Sequence, residues 1–483
     1  MPENFVHFLE TNARRFGEKP ALVWETGSLT WSELDRRASG FALNLARQSV
    51  GPGDRVAILL PNGWSFAVAL LGIFKRGATA APLSPALTGV ELDALLADLR
   101  PKQVVDDVPV EDGPQAPAAE GSFPALVIYT SGSTGAPKGA VFSHSALLAA
   151  NRIWAEVVMG LTPADVVLGV LPCSHNYGLY AGLLAPLLCG ATVVPLERFS
   201  PEATARAIKR HGVTIFPGVA TMFRRMLNSS DVSPEDLSSL RLAVSGAAPC
   251  ASELCAEWRG RIRIRIVCGY GATEVPRTIS YCADDENEVP GATGKLMPGV
   301  EMRVVDEHGM ALPEGEVGEL LIKSPTAMEG YLDDPEETRA VLNDGWFRSG
   351  DVGAVLPGGY VRLVGRKRDR ILRGGYSVFP QEIEGVLCSH AAVAEAAAVG
   401  VPDPDVGEEV VAVVAFKPGA EAPTEELIAR CRKQLAAYKC PRRVVIVKEL
   451  PRGPTGKVLY SELLKIAAGA QSGGSVEGAG TSP

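Results

Sequence analysis

Leu34, Ala38, Phe41 and Leu45 recur at helical spacing behind a Thr30-x-x-Glu33 pair, so the pattern predicts an amphipathic helix opened by a capping box. Gly51-Pro52-Gly53 stops it. Arg55 to Leu60 then reads as a strand, Ser65 to Lys75 as a helix and Ala78 to Pro82 as a second strand, which together make a βαβ unit. The alternation returns where Ser200-Pro201 opens a helix, Gly212 closes it and Val213 to Phe216 follows as strand. Ala125 to Tyr129, Leu240 to Val244 and Arg263 to Cys268 read as further strands. No fixed period repeats along the chain, which argues against a solenoid.

Pro109 to Pro124 is rich in Pro, Gly and Ala and reads as a surface connection. From about Val300 the texture changes to short strands with glycine turns, a β-rich subdomain extending to about residue 365. Beyond it lies a smaller α+β unit with strands at Ala397 to Val401 and Val410 to Phe416, a helix at Thr424 to Ala437 and a strand at Val444 to Val447. The expected architecture is therefore α/β: a large N-terminal domain of βαβ-built sheets over 1–365, a small mobile α+β C-terminal domain over 366–466, and a Gly/Ser-rich disordered tail over 467–483.

At 483 residues and 46% apolar composition the chain can bury a sizeable core. Its 47 basic and 56 acidic residues leave a net charge of −9 with no basic tract, which argues against nucleic acid or an anionic membrane surface as partner. Nine cysteines without a C-x-x-C pair fit a reduced, cytoplasmic setting, and six scattered histidines show no metal-ligand spacing. The N-terminus, M-P-E-N-F-V-H-F-L-E, lacks the basic and apolar segments of a signal peptide. Val166 to Leu196 carries no Lys, Arg, Asp or Glu, long enough to raise a membrane span. Pro172, His175, Asn176 and Pro186 interrupt it, so successive buried strand, loop and helix pieces are expected instead.

The densest chemistry lies at Thr130 to Gly139, T-S-G-S-T-G-A-P-K-G. Its glycines allow positive φ and close backbone approach, its hydroxyls are donors, and Lys138 adds a cation, a combination suited to a polyphosphate. A strand before the loop and a helix that Ser143 caps after it place the site at the mouth of an α/β sheet. A Walker P-loop is excluded because Lys138 stands between Pro137 and Gly139, and a nucleophile elbow because Ser131 occupies the place of its first glycine.

This loop resembles the phosphate-binding signature of the adenylate-forming superfamily, which comprises acyl-CoA synthetases, peptide-synthetase adenylation domains and firefly luciferase. Further elements follow in the family's order: Ser245-Gly246-Ala247-Ala248-Pro249, Gly269-Tyr270-Gly271-Ala272-Thr273-Glu274, Asp344-Gly345-Trp346, Ser349-Gly350-Asp351, Gly365 to Glu384 and Pro454-Thr455-Gly456-Lys457. The resemblance spans roughly residues 5 to 466 and is nearest to acyl-CoA ligases.

The resemblance implies roles. Thr130, Ser131, Gly132, Ser133, Thr134, Gly135 and Lys138 hold the phosphates of ATP; Glu274 is the acid associated with Mg²⁺; Tyr270 packs on adenine opposite Gly246, Ala247 and Ala248, within the Gly269 to Thr273 turn containing Gly271 and Ala272. Asp351 accepts the ribose hydroxyls, Arg366 reaches ribose or phosphate, and Lys457 bridges carboxylate, α-phosphate and ribose. Arg368 occupies the hinge about which the small domain reorients, bringing Gly374, Gly375 and Tyr376 to the pantetheine tunnel for the second step. Val166 to Leu196, with His175, lines the acyl pocket; His175 gates it or is a satisfied core residue. The absence of an acid in that run argues against an amino-acid substrate, and Ser174 replaces the aromatic common in fatty-acid members, leaving fatty and aryl acids open.

The implied reaction joins an apolar carboxylic acid to coenzyme A through an acyl-adenylate, in a monomer or homodimer. Transfer to the phosphopantetheine arm of an acyl carrier protein is the near alternative. A catalytically silent binding protein is the distant one, disfavoured by Lys457, Glu274 and Asp351.

Overall fold

The computed structural model describes residues 3–109, 112–114, 118–130, 137–248, 250–285, 289–452 and 458–469. Two compact units share the chain: one comprises Met1–Arg303, Leu321–Ser349 and Leu356–Val361, the other Val304–Leu320, Gly350–Val355 and Arg362–Pro483.

In the first unit the capping box closes as the pattern requires. Thr30 Oγ1 accepts from the Glu33 amide at 3.2 Å, Glu33 Oε2 accepts from the Thr30 amide at 2.8 Å, and the helix runs Trp31–Arg47 with Leu34, Ala38, Phe41 and Leu45 buried. The βαβ unit follows. Strands Arg55–Ile58 and Thr79–Pro82 pair in parallel around helix Trp64–Arg76, which Gly77 ends at φ 74°. That helix is buried from Phe66 to Lys75, and the Lys75 ammonium sits 2.8 Å from Asp35 Oδ1, both side chains 1% exposed. Neither charge can be buried cheaply without the other.

A six-stranded sheet is ordered Gly330–Tyr331, Gly139–Phe142, Leu126–Tyr129, Thr79–Pro82, Arg55–Ile58, Gln103–Val105. Within a second, 14-stranded sheet, consecutive strands run in spatial order Gly294–Leu296, Ile279–Ser280, Ile266–Tyr270, Leu242–Ser245, Ile215–Gly218, Val166–Gly169, Thr192–Pro195, Pro20–Trp24, Gly27–Thr30. Its parallel centre is in register, with Gly218 opposite Ser245 and Ser245 opposite Cys268, so three carboxyl ends finish on one edge. Ligand sites of open α/β sheets form at such edges.

The uncharged run Val166 to Leu196 breaks into strand Val166–Gly169, a helical stretch from Asn176 to Cys189 and strand Thr192–Pro195. No helix among the described residues is long and apolar enough to cross a membrane. Helix Pro201–His211 is capped by Ser200 and ended by Gly212 at φ 61°, as its sequence signals require.

The second unit holds a sheet ordered Tyr376–Val378, Ile371–Arg373, Gly407–Phe416, Val393–Asp403, with Arg443–Val447 parallel to Gly407–Phe416. Helix Thr424–Gln434 stops short of the Ala437 expected from the pattern, because Leu435 turns extended (φ −122°, ψ 154°) and packs on this unit's core.

Candidate active site

Strands Leu126–Tyr129 and Gly139–Phe142 pair antiparallel up to Tyr129 and Gly139, so the signature loop is the connection of a hairpin. Ser131, Gly132, Ser133, Thr134 and Gly135 lie outside the described residues. At the neck, the Thr130 amide donates to the Lys138 carbonyl at 2.9 Å. The Lys138 ammonium is 2.7 Å from Glu337 Oε2 and lies 5.4 Å from the centroid of the Tyr331 ring. Strand Gly330–Tyr331 pairs beside Val141 and Ala140, and the Tyr331 hydroxyl donates to Glu274 Oε1 at 2.9 Å. Burial and the Glu274 charge push the Tyr331 phenol up, so it remains a donor at neutral pH. One tyrosine from the six-stranded sheet thus ties the loop's cation to the acid at the end of the other sheet.

At that edge, Leu242–Ser245 runs into Gly246, Ala247 and Ala248, with Ala247 held at φ 65°, a left-handed conformation uncommon for a residue with a Cβ. Ile266–Tyr270 runs into Gly271, Ala272, Thr273 and Glu274. Tyr270 is half-buried and pairs with Ile279. Gly269 and Gly271 leave no room for a side chain: a Cβ at Gly269 would stand 2.6 Å from both Arg277 Cζ and the Ile279 carbonyl oxygen, and one at Gly271 2.3 Å from the Arg277 amide nitrogen.

Behind these turns lies a cavity of about 50 Å³ walled by Trp154, Tyr177, Tyr180, Gly246 and Arg277. Trp154 and Tyr180 stand on π-helical turns, Ile153–Val158 and Tyr180–Leu184, a wider winding that recurs at functional sites. The Trp154 and Tyr177 rings stack at 5.3 Å, and the Tyr177 hydroxyl lies 2.7 Å from the Val244 carbonyl and 3.0 Å from that of Gly218. Asn176 Nδ2 donates to the Ala272 carbonyl at 3.2 Å. His175 is half-buried at the N-cap of helix Asn176–Leu179, next to the cavity-lining Asn176. A separate cleft of about 120 Å³ at Phe41, Gln48 and Asp107 has no cation among its described lining residues.

The fold also gathers Cys250, Cys255 and Cys268, whose sulfurs lie 3.6 Å (Cys250 to Cys255) and 3.9 Å (Cys255 to Cys268) apart, a grouping invisible in their spacing along the chain.

In the second unit Asp351 is buried, 8% exposed, and Arg366 Nε stands 3.3 Å from its Oδ1. Arg368 pairs with Asp369 at 3.4 Å within the short 3₁₀ turn Lys367–Asp369; burial lowers its pKa, with the neighbouring Arg366 charge adding. Gly374 (φ 58°) and Gly375 (φ 82°) form the two-residue turn between Ile371–Arg373 and Tyr376–Val378, which demands positive φ at both positions. Tyr376 is 59% exposed and stacks on Tyr438 at 4.6 Å. Lys457 lies outside the described residues.

The comparisons agree with this architecture. The AMP-binding enzyme model matches residues 9–120 and 106–332, and the AMP-binding enzyme C-terminal domain model matches 382–457. The 3-[(3aS,4S,7aS)-7a-methyl-1,5-dioxo-octahydro-1H-inden-4-yl]propanoyl:CoA ligase of Rhodococcus jostii is 34% identical over 94% of this chain and 97% of its own. Among solved structures, ATP-bound MatB from Rhodopseudomonas palustris superimposes with a TM-score of 0.89 at 31% identity, over 96% of this chain and 99% of its own. The anthranilate CoA ligase AuaEII in complex with anthranoyl-AMP gives 0.90 at 28%, over 97% and 98%. The chain belongs to the AMP-binding enzyme family, the adenylate-forming enzymes. Within it, the chain is an acid–thiol ligase of the acyl-CoA synthetase type.

Tyr331, Glu337, Trp154, Tyr180 and Arg277 were not singled out in the sequence. Arg277 did carry a signal: it stands three residues after Glu274, beyond a turn whose glycines leave room for it.

Proposed function

We propose that the protein activates a carboxylic acid with ATP and Mg²⁺ as an acyl-adenylate, releasing pyrophosphate, and then transfers the acyl group to coenzyme A. The observation that carries this reading is the link from Lys138 through Tyr331 to Glu274, which gathers a cation and an acid at the neck of the signature loop. In the first step a carboxylate oxygen bonds to the α-phosphorus as the bond to pyrophosphate breaks. Such a transfer needs positioning and charge neutralisation more than acid–base chemistry. Thr130 and Lys138 hold the phosphate end, and Tyr270, Gly246, Ala247 and Ala248 frame adenine. Asp351, beside Arg366, takes the ribose hydroxyls, and Lys457 meets the charge that develops at the reacting oxygens.

Glu274 fits Mg²⁺, a hard ion that takes one or two carboxylates together with substrate phosphates; the Tyr331 hydroxyl on Oε1 holds that carboxylate in place. Bound there, the ion supplies positive charge to the polyphosphate. In the second step the thiol of coenzyme A attacks the acyl carbonyl, AMP leaves, and the turn Gly374-Gly375 with Tyr376 guides the pantetheine arm after reorientation at Arg368.

The substrates named for the relatives range from a bicyclic propanoate to anthranilate, so kinship alone leaves the acid open. The test is isotopic. Acid carrying heavy oxygen in its carboxylate is converted in the presence of ATP and coenzyme A, and AMP is expected to acquire one heavy oxygen. Label in orthophosphate, or formation of ADP, would overturn the adenylate route.

A further inference from the structure

Arg277 is the one arginine among the described residues that line the cavity, and it is enclosed: the residue is 4% exposed. Its Nη2 donates to Ser280 Oγ at 2.6 Å and its Nη1 to the Ser245 carbonyl at 3.3 Å, both neutral acceptors. Its Nε has no hydrogen-bond partner among the described residues. Its guanidinium carbon lies 4.3 Å from the centroid of the Trp154 ring, which steadies a cation without neutralising it. In the lining of the same cavity the Tyr180 hydroxyl, on a residue 1% exposed, is also without a hydrogen-bond partner among the described residues.

No carboxylate among the described residues pairs with this guanidinium. The titratable groups that act on it are Tyr177, Cys268 and Cys282. Burial pushes Tyr177 and Cys282 up, and hydrogen bonding with Cys250 and Cys255 does the same for Cys268, so all three are neutral near pH 7. Cys250 is drawn down by hydrogen bonds from Cys255 and Cys268, and the cation acting on it is Arg224. A buried charge without a counter-ion is costly, and an anionic ligand would supply the opposite charge. The backbone makes room for this cation at Gly269, where a Cβ would stand 2.6 Å from the guanidinium carbon.

We propose that Arg277, with the Tyr180 hydroxyl, forms a subsite for a second anionic group on the acyl substrate, so that the preferred acid is a short diacid or sulfonated acid whose far end enters this cavity. The proposal rests on the acid–CoA ligase reading and deepens it. The aromatic walls of Trp154 and Tyr177 cover the apolar middle of the acyl chain, and the cavity of about 50 Å³ admits a group of few heavy atoms. The reacting carboxylate stays at the nucleotide end while the second anion meets the guanidinium, in the two-pronged manner this side chain favours.

The test compares length-matched acids in acid-dependent exchange of pyrophosphate into ATP: succinate and glutarate against butyrate and valerate, with 3-sulfopropionate as the sulfonate arm and succinamate as the neutral polar arm. The intact protein is expected to favour the dianions by about a hundredfold or more in kcat/KM, as sites built around a buried polar partner do. Exchange with 3-sulfopropionate alone assigns the sulfonate class, and exchange with succinate or glutarate the dicarboxylate class. In Arg277→Met the ratio of succinate to butyrate falls to about one or inverts, and Arg277→Lys recovers part of it. Equal kcat/KM for succinate and butyrate in the unmodified protein overturns the subsite with no variant needed, as does a preference for succinamate. A ratio unchanged in folded Arg277→Met overturns it too. Should no acid support exchange, the ligase reading fails on its own. The subsite is then judged by thermal unfolding, where succinate but not butyrate raises the Tm of the unmodified protein and no such shift occurs in Arg277→Met; equal shifts for both acids overturn it.

Discussion

The phosphate side and the acyl side of the first unit make use of the chain differently. On the phosphate side, Thr130 and Lys138 belong to one loop, and Glu274 ends the Gly269-to-Glu274 turn that Tyr331 bridges to it. On the acyl side, Trp154, Tyr177, Tyr180 and Arg277 come from three separated segments, two of them wound into π turns, and meet around a small cavity. On the proposed function the first region would contact the nucleotide, through backbone groups and short motifs. The second would contact the part of the substrate that differs between relatives, through side chains set by packing. Activity and selectivity are therefore expected to respond to different residues.

The largest effect is expected at Lys457. Replacing it by alanine should slow adenylation for every acid alike by on the order of a hundredfold or more, the usual cost of one preorganised contact to developing charge. Thioester formation from supplied acyl-adenylate should be nearly intact, and stopped-flow measurement of each half-reaction checks this. An equal fall in both steps removes the transition-state role.

A far smaller effect is expected from pH. Tyr177, Cys268 and Cys282 all have raised pKa values and stay neutral, whereas burial lowers that of Arg277 to about 10. Because a lowered cation pKa leaves the charged form dominant below that value, the succinate-to-butyrate ratio should be flat from about pH 6 to 8 and decline only as pH rises toward 10. Steady-state kcat/KM for the pair across that range is the measurement. A ratio that changes severalfold near pH 7 implicates a different group.

Much of the fold was legible because local rules and tertiary packing agree. Thr30 with Glu33, Ser200 with Gly212, and the buried face Leu34, Ala38, Phe41, Leu45 each announce an element that packing confirms. The family was legible from the signature loop for a similar reason: glycine, hydroxyl and lysine at fixed spacing have few other uses. The acyl pocket was legible only as the stretch Val166 to Leu196. Trp154 was not singled out, nor was Tyr180 within that stretch, since a π turn leaves no mark in hydrophobic periodicity. Arg277 was not singled out, since burial of a charge is decided by elements distant in sequence. Tyr331 gains its meaning only when strand Gly330–Tyr331 pairs with Gly139–Phe142.

The measurement that bears most directly on the separation of the two regions is pyrophosphate exchange with succinate and with butyrate in four proteins: the unmodified chain, Tyr331→Phe, Arg277→Met and the double variant. Tyr331→Phe removes the hydroxyl that holds Glu274 and should lower exchange with both acids about tenfold at limiting Mg²⁺, leaving their ratio untouched. Arg277→Met should change the ratio, and the double variant should show the product of the two effects, as independent sites do. A changed acid ratio in Tyr331→Phe, or a double variant departing from that product by more than about threefold, would contradict the account.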